Sequence, residues 1–349
     1  MKHKLLSLAL VLCLGLGLAM PAAAASSGYS DIPSGHWCEE SVLRATQLGL
    51  FGGMGDGTFG RGQPITRAAF VTAMVRLFGW KEVTPAKASY SDVTSERWFY
   101  TAVETARANG AFPSTSGAFR PTDNITREEM ASMLMRSLGY ASLAGVADSY
   151  PSPFTDVSVN QGFITLAYDL GIIGGVGDGK FAPDRNATRE EAAAMLVRLY
   201  DKLYARSAIL SSTGSYTRIT VPTPAAKEGD SLPTTPLEPI AELYDQLRSA
   251  KSRGEDLSRC VLCLNAGGVR TITSNGQILS TDTLSAEEVE KILSSSGVRT
   301  YYSTRYESAY CIYSPNSYQS ATLWYQSEES LTAKLQLSRL FGVIHYTFN

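Results

Sequence analysis

The sequence predicts a two-part fold: an all-α bundle of three helix–turn–helix repeats, followed by a small α/β or α+β domain. Three observations carry this. An aromatic-Ser/Thr-Asp opening recurs as Tyr29-Ser30-Asp31, Tyr90-Ser91-Asp92 and Phe154-Thr155-Asp156. Each opening leads to a Thr-Arg pair, Thr66-Arg67, Thr126-Arg127 and Thr188-Arg189, and the arginines are 60 and 62 positions apart. Beyond residue 200 the helical pattern fades through a Ser/Thr/Pro-rich stretch into segments of alternating, Tyr-rich character. A period near sixty over residues 29–200 marks stacked units, none of which buries its apolar faces alone.

The chain opens with Lys2, His3 and Lys4, an apolar run over 5–20, then Pro21 and a run of alanines. This is the pattern of a secretory signal spanning 1–25, and the run is shorter than the roughly 20 residues that span a bilayer. Repeats are expected over 26–88, 89–150 and 151–205. In the first, Val42, Ala45 and Leu48 form the apolar stripe of a helix stopped by Gly49. Phe70, Val71, Met74, Val75, Leu77 and Phe78 form the stripe of a second helix, with apolar spacing of three and four. Between them lies Gly52-Gly53-Met54-Gly55-Asp56-Gly57-Thr58-Phe59, which the third repeat copies as Gly174-Gly175-Val176-Gly177-Asp178-Gly179-Lys180-Phe181. Glycines there permit the positive φ of a tight return.

Thr126 with Glu129, and Thr188 with Glu191, read as capping boxes, whereas Thr66 is followed by Ala69 and keeps only the hydroxyl half. Arg67, Arg127 and Arg189 occupy the first helical position, where the macrodipole disfavours a cation by roughly 0.3–1 kcal/mol. Two readings account for that cost. The guanidinium and the helix N–H groups converge on an anion, or each arginine bridges internally to Asp31, Asp92 or Asp156, or to the turn carboxylates Asp56 and Asp178. Trp37 and Trp98 either stack on a sugar face or seal the bundle.

The opening, the Gly-Asp-Gly-x-Phe turn and the Thr-Arg-x-Glu helix start together resemble the surface-layer homology (SLH) domain, in three copies over half the chain. The resemblance implies a pseudo-threefold bundle with grooves between repeats. It further implies export to the cell surface and non-covalent attachment to secondary cell-wall polysaccharide, often through a pyruvate ketal. By the same resemblance, Arg67, Arg127 and Arg189 pair with the ketal carboxylate; in the reading adopted, Asp31, Asp92, Asp156, Asp56 and Asp178 orient them, and Trp37 and Trp98 are candidate sugar platforms. The copies are unequal: repeat one has Ala69, repeat two has Pro113-Ser114-Thr115-Ser116-Gly117 in place of the Gly-Asp-Gly turn, and repeat three lacks the tryptophan. Repeat two is expected to be the degenerate one.

Residues 206–236 read as an extended spacer. Residues 237–349 read as helix over 237–252, buried strand over 260–264, a hairpin over 269–279, a capped helix over 285–293, strands over 300–303, 309–314 and 321–326, a helix over 328–340 and a final strand over 343–348. Trp324-Tyr325, Ser330-Leu331-Thr332-Ala333-Lys334-Leu335 and Phe341-Gly342-Val343 resemble the closing strand–helix–strand of glycoside hydrolase family 18-like barrels. The segment lacks the Asp-x-x-Asp-x-x-x-Glu run that those barrels need, and a complete barrel takes about 250 residues.

Composition narrows the function classes. The 349-residue chain is 44% hydrophobic and 18% charged with net charge -2, which is globular material without a basic field for nucleic acid. Cys260 and Cys263 have metal-like spacing but lie in a strand-like run, and His36 and His345 are the imidazoles left after the signal, so neither metal nor other cofactor is expected. No Gly-x-Ser-x-Gly, phosphate loop or Cys-His pair appears. The expectation is a non-enzymatic, wall-associated surface protein that binds an acidic glycan. A wall-tethered glycan hydrolase, or a structural surface-layer component contacting other such proteins, is the alternative.

Overall fold

The computed structural model describes residues 28–113, 117–211, 214–223 and 236–349; the expected signal segment, the 114–116 part of the second turn and, within the expected spacer, residues 212–213 and 224–235 lie outside the described residues. Among the described residues, seven helices form the first part: α1 (Glu39–Gln47), α2 (Arg67–Phe78), α3 (Tyr100–Ala108), α4 (Arg127–Ser137), α5 (Ala141–Ala147), α6 (Gln161–Asp169) and α7 (Arg189–Leu203). Each repeat contributes a short helix and a longer one, and α5 is an additional helix between repeats two and three. The short helices bury matching residues, Val42 with Ala45, Val103 with Ala106, and Ile164 with Ala167. They end at Gly49, Gly110 and Gly171, all in the left-handed region that glycine enters freely.

Packing closes the three repeats into a ring. The long helix α2 packs on α3, α4 on α6, and α7 back on α1, so each short helix leans on the long helix of the preceding repeat. At the axis, Ile65 N–H donates to Ala187 O at 3.0 Å, Ala187 N–H to Ile125 O at 2.9 Å, and Ile125 N–H to Ile65 O at 3.0 Å. This cycle explains why three copies are needed: each buried backbone donor has its acceptor in another repeat.

The C-terminal part is built from two sheets. Strands β1 (Ala208–Ile209), β2 (Thr217–Thr220), β3 (Cys260–Leu264) and β9 (His345–Phe348) form a parallel sheet in the order β1-β9-β3-β2, flanked by α8 (Ile240–Ser252) and α10 (Glu328–Phe341). Every residue of β3 is buried, as expected of a strand inside a parallel sheet. Between β3 and α10 the chain makes an antiparallel sheet. Strands β4 (Gly268–Ser274), β5 (Gln277–Leu284), β6 (Arg299–Ser303), β7 (Ser308–Asn316) and β8 (Gln319–Tyr325) run in the order β5-β4-β8-β7-β6, with α9 (Ala286–Leu293) alongside. Asn275 and Gly276, both at positive φ, make the β4–β5 turn.

The spacer expected over 206–236 is corrected where it is described. Ala208–Ile209 and Thr217–Thr220 are strands that pair with β9 and β3, covering edges whose N–H and C=O groups would otherwise be open. Nor does the C-terminal part stand apart from the repeats. One apolar core runs through both, from Ile32 to Val343. Across the junction Tyr244 Oη donates to Asp169 Oδ2 at 2.6 Å and Arg248 Nε to the same oxygen at 2.9 Å. Lys251 Nζ donates to Asp169 O at 2.6 Å, and Lys202 Nζ to Leu340 O at 2.9 Å.

Candidate functional site

The three helix-start arginines are arranged alike. Each main-chain N–H at the first helical position donates to a neighbouring repeat: Arg67 to Asp123 O, Arg127 to Arg185 O, Arg189 to Gln63 O. Those donors are therefore closed to an anion, contrary to the expected convergence of N–H groups; the guanidinium side chains remain for that chemistry, with the N–H of the threonine before each arginine, which at Thr126 and Thr188 is taken by Glu129 and Glu191. Each Nε donates to a phenylalanine carbonyl: Arg67 to Phe119 O at 2.9 Å, Arg127 to Phe181 O at 2.8 Å, Arg189 to Phe59 O at 2.9 Å. The guanidinium carbons lie over those same rings, 5.0, 4.5 and 5.1 Å from the centroids. Burial lowers all three arginine pKa values, yet the groups stay cationic.

Their ion partners differ from those expected. Arg67 Nη1 lies 2.6 Å from Glu129 Oε1, and Arg127 Nη1 lies 3.2 Å from Glu191 Oε1. Arg120 and Arg185 add second cations to the same two carboxylates. Burial raises the Glu191 pKa, but Arg185, the Thr188 N–H and Arg127 outweigh it and hold the carboxyl below its usual range. Arg189 has no carboxylate partner among the described residues, because the position matching Glu129 and Glu191 is Ala69. It is also the one left half-buried, where Arg67 and Arg127 are buried.

The aspartates do not touch the arginines. Asp31 accepts N–H bonds from Phe59, Gly60 and Arg61 at 2.7, 2.8 and 2.7 Å. Asp92 accepts from Phe119 and Arg120, and Asp156 from Phe181 and Ala182. Each aspartate thus fixes the phenylalanine peptide whose carbonyl receives an arginine, and its reach to the guanidinium is indirect. Asp56 accepts from the N–H and hydroxyl of Thr58, and Asp178 is exposed at φ +50; both shape turns. The turns also need their second glycine: a Cβ at Gly53 would lie 2.6 Å from Tyr29, and one at Gly175 2.8 Å from Lys180 O.

The tryptophans are exposed, Trp37 by 57% and Trp98 by 68%, so neither seals the bundle. Trp37 lines a groove of about 440 Å³ with Arg127, Arg185, Glu191 and Arg198. By the ring order Trp98 is the counterpart of Trp37 for the groove of Arg189, since α3 packs on α2 as α1 packs on α7. The third groove is lined by Arg67, Glu128, Glu129 and Arg136, with Asn160 rather than a tryptophan as the residue contributed by repeat three. Sequence reasoning missed Arg136 and Arg198, each nine residues after a helix-start arginine, and it took Glu129 and Glu191 for caps alone. They are caps as well.

Residues 28–71, 89–131 and 153–193 match the S-layer homology domain, so the chain carries three such domains in tandem. Among curated relatives, an amylopullulanase of Thermoanaerobacterium thermosulfurigenes is 31% identical over 178 residues, 50% of this chain and 10% of that protein. An S-layer protein of Bacillus thuringiensis subsp. finitimus is 28% identical over 181 residues, 51% of this chain and 22% of that protein. The chain thus spans a tenth to about a fifth of the length of these two relatives. Among solved structures, the spore cortex-lytic enzyme SleL of Bacillus megaterium aligns with 38% of this chain and 36% of its own, at 14% identity and a TM-score of 0.31, an overlap too slight to bear on fold or chemistry. The domains and the S-layer relatives mark a cell-surface protein. No helix among the described residues is long and apolar enough to cross a membrane.

Proposed function

We propose that this protein anchors itself non-covalently to the cell wall by binding an acidic, pyruvate-bearing polysaccharide in the grooves between its repeats. The observation that carries the reading is a fixed guanidinium without a carboxylate partner among the described residues, Arg189, in a ring of repeats that also presents two exposed tryptophans, Trp37 and Trp98. An aromatic face suits the apolar face of a sugar ring, and a planar fork of donors suits a carboxylate. The protein acts as a binding module rather than a catalyst, with residues 237–349 carried on the wall-bound repeats. The name of the matching domain and the S-layer relatives support the same reading.

Co-sedimentation of the full chain with purified sacculi tests it, before and after hydrofluoric acid removes attached polysaccharide. Retention on intact sacculi and release on stripped ones is expected. Equal retention on both would replace the glycan with peptidoglycan or protein as the partner.

A further inference from the structure

The three grooves differ in whether the arginine meets a carboxylate. In two of them a glutamate of the next repeat places its carboxylate on the arginine: Glu129 on Arg67 at 2.6 Å and Glu191 on Arg127 at 3.2 Å. The same carboxylates accept the N–H of Thr126 at 3.1 Å and of Thr188 at 3.0 Å. In the third groove the ring brings Arg189 to repeat one, where Ala69 has no carboxylate to offer. Arg189 is nevertheless held as Arg127 is, by Nε to Phe59 O at 2.9 Å and Nη2 to Gly52 O at 3.0 Å, the latter matching Arg127 Nη2 to Gly174 O. Its remaining corner, Nη1, and the Thr66 N–H are the two donors whose equivalents meet glutamate elsewhere.

Resting on the glycan-anchoring reading, we propose that the groove between repeats three and one is the carboxylate-receiving site of this protein. A compact sugar-borne carboxylate takes there the place that Glu129 and Glu191 fill in the other grooves. The protein carries its own two models of the bound state: a carboxylate bridging an arginine Nη1 and a threonine N–H. The other grooves are closed to a second carboxylate by their own glutamates.

The surroundings agree. The turn position occupied by Arg120 in repeat two, from which it reaches over Glu129, is Gly60 in repeat one. Gly60 lies so close to Arg189 that a Cβ there would come within 3.2 Å of its Cδ and Nε. The carboxylates that act on Arg189, Glu190 and Asp31, accept main-chain N–H groups, Glu190 from Gly62 and Asp31 from the turn. They do not occupy the Ala69 position. An uncharged sugar leaves this pair of donors without a partner, so the site selects acidic residues, with the exposed Trp98 as the platform for the ring.

The test is calorimetric titration of the full chain with two probes, a methyl glycoside bearing a 4,6-pyruvate ketal and methyl glucuronide, which separate the two sources of a sugar carboxylate. One site per chain is expected. Ala69→Glu supplies the missing carboxylate, so it should weaken probe binding about tenfold to a hundredfold while raising the unfolding temperature, which excludes misfolding as the cause. Glu129→Ala copies the natural vacancy and should add a second, weaker site at Arg67. Undiminished binding by Ala69→Glu overturns the proposal. So does failure of both probes to bind a wild-type chain that still co-sediments with intact sacculi and leaves stripped ones, a result under which the anchoring reading stands. Loss of that polysaccharide-dependent co-sedimentation sinks the anchoring reading itself.

Discussion

Replacing Asp31 with alanine removes the acceptor for three main-chain N–H groups, those of Phe59, Gly60 and Arg61. A hydrogen bond to a charged group contributes roughly 1.5–3 kcal/mol net when buried. This turn is half open to water, which can serve part of the donors, so the expected loss is about 3 kcal/mol rather than the full sum. For a cooperative unit of this size that is a fall of roughly 6–12 °C in unfolding temperature, measurable by calorimetry. Asp178→Ala, at an exposed turn position, serves as the control and should shift stability by less than about 0.5 kcal/mol. Burial raises the Asp31 pKa, but the N–H groups of Phe59, Arg61 and Gly60 outweigh it and leave it lowered. A carboxylate with a depressed folded pKa contributes stability above its unfolded pKa of about 3.9, lost as pH falls through the folded value. The gap between wild type and Asp31→Ala should therefore close below about pH 4. A shift no larger than that of Asp178→Ala, or glycan binding lost at unchanged stability, would refute the turn-holding role and return Asp31 to the ligand.

Trp37→Ala and Trp98→Ala, both at exposed positions, should leave the unfolding temperature nearly unchanged and weaken wall binding about 2- to 10-fold, as measured by sacculus binding isotherms. At the junction, Asp169→Ala strands Arg248 and removes the acceptor of Tyr244, so a loss of about 3 kcal/mol is expected in urea titration. Tyr244→Phe should cost about 1–2 kcal/mol, and a separate unfolding step for residues 237–349 in wild type would contradict the shared core. Lys334 is fully buried, donates to Leu237 O and Gln326 Oε1, and is pushed down to about 8 by burial against the pull of Glu238. Its folded pKa lies below its ordinary 10.5, so the unfolded chain binds more protons between those values. Wild-type stability relative to Lys334→Met should rise over that interval; a flat difference would mean that the lysine titrates normally.

What could be read in the sequence was what is set locally. Thr126 and Thr188 with their glutamates, the glycines ending the short helices, and the apolar spacing of Phe70, Met74 and Leu77 act within a few residues, and so the helices were legible. The arginine partners were not. Arg67 meets Glu129 and Arg127 meets Glu191 only because successive repeats pack against one another, and no local rule carries a side chain into the next repeat. The same holds for β1 and β2: Ala208–Ile209 is too short to show an alternating pattern, and both strands owe their state to β9 and β3, which come much later in the chain. The tryptophans were undecided because an aromatic beside a helix start suits a core or a platform equally, and only exposure separates the two.

The anchoring account is tested most directly by titrating the full chain with purified wall polysaccharide, intact and after mild acid has cleaved its pyruvate ketals. Saturable binding to the intact polymer, abolished on cleavage and in Arg189→Ala, is the result the account predicts. Equal affinity for both polymers would contradict it, since the guanidinium groups would then have no carboxylate to recognise.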